Sequence, residues 1–114
     1  MQLATIRIND TEILSLKCPR LDATTGAALL ELVSCSVARG ARTVVLDLGY
    51  GVVVDFAGAS ALEAASAMVG QAGCLVVSGL GGRARTLLRS TGVAEHVRLV
   101  DWWTDAVDPV TRAA

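Results

Sequence analysis

Short runs dense in β-branched and aliphatic residues alternate along this chain with stretches of helical period, and that alternation constrains the fold most. Residues 43–48 (TVVLDL) and 74–77 (CLVV) have the composition and length of strands buried on both faces. Between them, an apolar lead at 52–54 precedes a helix over about 58–69, with Gly58, Leu62, Ala65 and Val69 on its inward stripe. Ser60, Glu63, Ala64 and Ala67 fall on the opposite, weakly charged face. Strands separated by helices pair in parallel, because each helix carries the chain back across the sheet.

The N-terminal segment has a different period. Residues 3–8 (LATIRI) alternate apolar and polar, as a half-buried strand does. Asn9-Asp10 supplies a turn, and residues 12–18 form a second strand that can pair as a hairpin. Asp22 is a good N-cap for a helix running to about Arg39, with Gly40 as its stop. Gly26, Leu29, Leu30, Val33 and Val37 share the core stripe of that helix, and Cys35 falls nearly opposite. After SGLGG at 78–82, a helix over about 83–91 turns Ala84, Leu87 and Leu88 inward and Arg83, Arg85 and Arg89 outward. Residues 97–100 read as a last strand, and Asp101 caps a final helix that begins with Trp102 and Trp103. The expectation is an α/β fold in one domain over 1–114: a mixed, mostly parallel sheet of four to five strands with about four helices.

Composition removes several function classes. The formal net charge of −1 leaves no basic footprint for nucleic acid, and 4% aromatic content leaves no stacking platform. No apolar run reaches the roughly 18 residues of a membrane span, and the N-terminus lacks a secretory pattern, so a cytoplasmic protein without a membrane partner is expected. The three cysteines have no CxxC spacing, so neither a metal site nor a disulfide framework is expected, and no cofactor is implied. His96 is the only histidine and sits at a turn, and neither a nucleophile elbow nor a P-loop occurs, so the chain does not read as an enzyme. The stretch from Gly79 to Ala84 loosely matches a dinucleotide fingerprint, with Asp101 about 20 residues beyond its second glycine. Too little chain follows it for a second half-fold, and a tight turn accounts for its glycines.

The turn D-F-A-G at 55–58 lies where α/β proteins place their chemistry, yet it carries no hydroxyl, thiol or imidazole. Asp55 reads as an acceptor for backbone N–H groups at the helix start. Phe56 has two readings, a plug in the core below the turn or an exposed anchor for a partner. Ser60, one turn on, has two readings, an alternative phosphate acceptor and, favoured, an ordinary first-turn residue.

Three segments resemble the STAS domain of bacterial anti-sigma-factor antagonists and together cover nearly the whole chain. They are Pro19-Arg20-Leu21-Asp22 before the first helix, VVLDL followed by Asp55 and Gly58, and the glycine-rich turn with its Arg-containing helix and Gly92. The resemblance implies a binding module that sequesters an anti-sigma factor, a histidine-kinase-like ATPase protein, and so promotes sigma-dependent transcription. It places the docking surface on Asp55, Phe56, Ala57, Gly58, Ser60, Glu63, Ala64 and Ala67. In phosphorylatable members the hydroxyl residue just before the motif glycine accepts phosphate; here that position is Ala57, preceded by Phe56 rather than Ser. A thiol switch in its place would fall to Cys35 or Cys18, whereas Cys74 reads as a core residue. The alternatives are a homodimeric scaffold and a small-ligand sensor.

Overall fold

The computed structural model describes residues 2–49, 51–70, 73–102 and 104. Asn9, at φ 55°, turns the chain so that β1 (Gln2–Ile8) pairs antiparallel with β2 (Thr11–Lys17). A two-residue strand, β3 (Arg20–Leu21), then leads into α1 (Ala23–Ala38). There follow β4 (Thr43–Asp47), β5 (Val53–Val54), α2 (Phe56–Val69), β6 (Cys74–Ser78), α3 (Gly82–Ser90), a 3-10 turn (Val93–Glu95) and β7 (Arg98–Val100). The main sheet has the order β1-β2-β4-β6-β7, parallel except for β1, and β3 pairs with β5 in a separate parallel ladder. The expected mixed, mostly parallel sheet is present.

All three helices pack on one face of this sheet. Their buried stripes, Leu29 and Val33 of α1, Ala59, Leu62 and Ala65 of α2, and Ala84 and Leu88 of α3, join Leu14, Leu46 and Val77 in one core. On the other face Ile13, Val45 and Val76 are register neighbours and form a second buried row. Ser78, fully buried, donates to Asp47 Oδ1 at 3.2 Å.

Several expectations are corrected. Among the described residues there are three α-helices rather than about four; the expected C-terminal helix, with Trp103, falls outside them apart from Trp102, which is a bend, and Thr104. Strand β1 is not half-buried, since Leu3, Ile6 and Ile8 are each more than a third exposed. It lies at the sheet edge, paired on one side only. Leu30 and Val37 are half-buried, whereas Ser36 is fully buried on α1.

Ser36 is buried where it meets Glu12, the second residue of β2 and only 2% exposed. Glu12 accepts from Ser36 Oγ at 2.8 Å and Arg7 Nη1 at 2.9 Å, and its second partner cation is Arg39. Burial alone pushes this carboxyl up, but the bonds from Ser36, Arg7 and Arg39 outweigh it and hold the group below the ordinary glutamate value. The cluster fastens the β1–β2 hairpin to the C-terminal end of α1.

Candidate functional site

Two equivalent strand-to-helix turns lie side by side because β3 and β5 are paired. Arg20 is in register with Val53 and Leu21 with Val54, and Asp55 N donates to the Leu21 carbonyl at 3.2 Å. Each turn then passes through an aspartate that caps the following helix. Asp22 forms a capping box with Thr25: its carboxylate accepts from the Thr24 and Thr25 N–H groups, and Thr25 Oγ1 accepts from the Asp22 N–H. The backbone bond from Thr25 leads the effects that hold the Asp22 carboxyl below its ordinary value. Asp55, in extended conformation, accepts from the Gly58 N–H at 2.8 Å.

This cap moves the start of α2 from the expected Gly58 to Phe56. Asp55 satisfies a first-turn donor locally, so the helix begins immediately after it. Gly58 is third in the helix and admits no side chain. A Cβ there would lie 2.1 Å from the Leu21 carbonyl oxygen. The two turns are therefore locked by close backbone contact, and α1 and α2 meet again where a Cβ on Gly26 would approach Ala61 Cβ to 2.8 Å.

What the turn presents is apolar. Phe56 is 71% exposed, so of its two readings the structure has the exposed one. Ala57 is exposed beside it, while Asp55 is half-buried against its own helix. Ser60, Glu63 and Ala67 are exposed farther along α2 and Ala64 is half-buried, giving a face that extends about 16 Å from Phe56 to Ala67. Glu63 Oε1 lies 3.9 Å from His96 Nε2, and Ser66 Oγ donates to the His96 carbonyl at 2.6 Å, tying α2 to the 3-10 turn. No group of three His, Cys, Asp or Glu side chains is placed to hold a metal among the described residues.

The cysteines divide differently from expectation. Cys35 is exposed on α1, as its helical position requires. Cys18, expected to be partly exposed at the strand end, is buried, 8% exposed, and burial pushes its thiol up. It belongs to the main core beneath the helices. Cys74 is half-buried rather than a core residue.

Sequence reasoning missed the β3–β5 ladder, whose strands are too short for a periodic signal. It also missed a cleft of about 380 Å³ lined by Gly51, Val52, Val53, Val54, Gly81, Gly82, Arg83 and Ala84. Of the fingerprint-like glycines, Gly79 has a structural reason. Gly79 has φ +85° and packs on Gly49, where a Cβ would lie 3.1 Å from the Gly49 backbone. Arg85, expected to face outward, is half-buried and bonds the Leu80 carbonyl at 3.1 Å and Asp101 at 2.8 Å.

The fold and turn define a small mixed-sheet α/β domain with three helices on one face and a capped, apolar turn exposed at the strand ends. The chain belongs to the STAS domain family, whose sequence profile matches residues 3–106. No curated protein sequence matches it. Among solved structures it resembles an anti-sigma factor antagonist from Mycobacterium paratuberculosis, at 22% identity and TM-score 0.80, over 96% of this chain and 93% of that one. It also resembles the Bacillus protein SpoIIAA, an anti-sigma factor antagonist, at 15% identity in both cases. The unphosphorylated form has TM-score 0.75 with 99% and 98% covered, and the phosphorylated form 0.67 with 96% and 99% covered.

Proposed function

We propose that the chain is an anti-sigma-factor antagonist that docks its partner through the 55–58 turn and the exposed face of α2. One observation carries this reading: on a STAS fold shared with SpoIIAA, the helix-starting turn holds Phe56 71% exposed beside Ala57. An aromatic ring held in water by a rigid, capped turn is a suitable anchor, because its position costs no further ordering on binding. Ser60, Glu63, Ala64 and Ala67 extend the contact, and the small side chains of Ser60, Ala64 and Ala67 permit close approach. The partner is an anti-sigma factor of the histidine-kinase-like ATPase type. Ala57 has no oxygen to accept the γ-phosphate of ATP, so the antagonist is constitutive with respect to that switch.

The test uses purified kinase-like anti-sigma factors of the source organism. One of them binds the wild type, and Phe56→Ser or Ala64→Arg weakens that binding by roughly tenfold or more. With labelled ATP the wild type takes up no phosphate at the turn, whereas Ala57→Ser does. Equal binding by both surface variants removes the site from this reading. A second reading, a homodimeric scaffold, is favoured by the β1 edge with its exposed Leu3, Ile6 and Ile8. A sedimentation series that stays monomeric removes it.

A further inference from the structure

Beside the capped turn lies an apolar surface with a cationic rim. Val53 and Phe56 are 51% and 71% exposed. Arg20 is the register partner of Val53 across the β3–β5 ladder, and Arg83 lines the same cleft as Val53. Both arginines are exposed, and neither forms an ion pair with a described residue. By contrast, Arg7 and Arg39 are occupied by Glu12, and Arg85 by Asp101.

Of the two, Arg20 is partly offset by Asp22, whose carboxyl its charge helps to hold down, whereas Arg83 faces no described ion-pair partner. Asp22 turns its carboxylate to the Thr24 and Thr25 N–H groups, and Asp55 turns its own to Gly58 N–H. Glu63 lies seven residues beyond Phe56, about 10 Å along the helix axis, and faces His96. The surface around Val53 and Phe56 is thus apolar in the middle and positive at two edges, with its carboxylates directed inward.

We infer that this surface selects an acidic partner segment, one carrying Asp or Glu beside an apolar side chain. The apolar side chain rests on Phe56 and on Val53, which lines the cleft, and the carboxylates lie toward Arg20 and Arg83. This rests on the docking reading of the 55–58 turn and adds the chemistry of what docks there. Complementary charge at a rim sets encounter rate and partner choice, and a basic segment would place like charges together.

A random-peptide phage library panned on the full chain supplies the probe. Recovered peptides are enriched in Asp and Glu next to Leu, Ile, Val or Phe, and their binding weakens steeply as salt is raised. Synthetic copies bind Arg20→Glu/Arg83→Glu roughly tenfold or more weakly than wild type, with the variant's melting temperature unchanged. Recovery of basic or neutral peptides, of acidic peptides that the double variant binds equally, or of none above an unrelated control protein overturns the inference. Phe56→Ser and Ala64→Arg report separately on the docking surface. Binding lost on these two but kept by the charge-reversed variant leaves the docking site in place and removes only the acidic partner. Binding kept by all of them removes both.

Discussion

The carbonyl oxygen of Leu21 occupies the place where a side chain at Gly58 would begin, 2.1 Å from the position of its Cβ. This contact joins the two strand-to-helix turns, because Leu21 ends β3 and Gly58 is third in α2. Phe56, two residues before Gly58, opens α2 and is exposed.

Replacing Gly58 by alanine therefore forces backbone apart and destabilises the fold by about 3 kcal/mol. Gly82→Ala is the control: nothing lies within 4 Å of a Cβ there and its φ is not positive, so it is neutral or stabilises by about 0.5 kcal/mol through the unfolded chain. Urea midpoints of the two variants separate in opposite directions. Equal midpoints would show that the Leu21–Gly58 contact relaxes without cost.

Asp55 is a helix cap before it is anything else. Asp55→Ala loses the acceptor for the Gly58 N–H and costs about 1 kcal/mol, while Asp55→Asn, which keeps an acceptor oxygen, changes stability by a few tenths. Thermal denaturation distinguishes them. If both variants lose the same stability, the charge rather than the cap is what the turn uses.

Glu12 makes stability depend on acid. Its folded carboxyl titrates below the ordinary value, so the folded state binds fewer protons than the unfolded chain over that range. The contribution is complete above the unfolded value of about 4.3 and is lost as pH falls through the lower folded value. Glu12→Gln lowers stability at neutral pH by about 2 kcal/mol and flattens the fall in melting temperature between about pH 5 and pH 3. An unchanged acid limb in the variant would place the transition on other carboxylates.

Thiol reactivity reads the three cysteines in order of exposure. A disulfide reagent modifies Cys35 first in the native protein, Cys74 more slowly, and Cys18 only on unfolding. Cys35→Ser removes the fast phase and leaves the other two. A fast phase that survives this substitution would show that the β2 end opens to expose Cys18.

Local chemistry made much of this protein legible in the sequence. The β-branched runs at 43–48 and 74–77 became β4 and β6, and Asp22 and Asp55 cap their helices because a cap is satisfied within three residues. The family could likewise be read from the order and spacing of such motifs, since both are one-dimensional. Burial was legible where a helical period reported it, as for Leu29, Val33, Leu62 and Ala65, or where a β-branched run did, as for Val44, Val45, Val76 and Val77.

Tertiary structure decided what depends on a neighbour distant in sequence. Glu12 sits in a strand that shows only an interrupted apolar pattern, and it is buried because Ser36 and Arg39, on α1, converge on it. Cys18 is buried, and β1 left uncovered, by where the helices pack. The sequence by itself determined an α/β chain whose unreactive turn starts a helix. Only the tertiary structure, through the pairing of β3 with β5, brought Leu21 against Gly58 and Arg20 beside Val53, and it left Phe56 in water on a surface with a cationic rim.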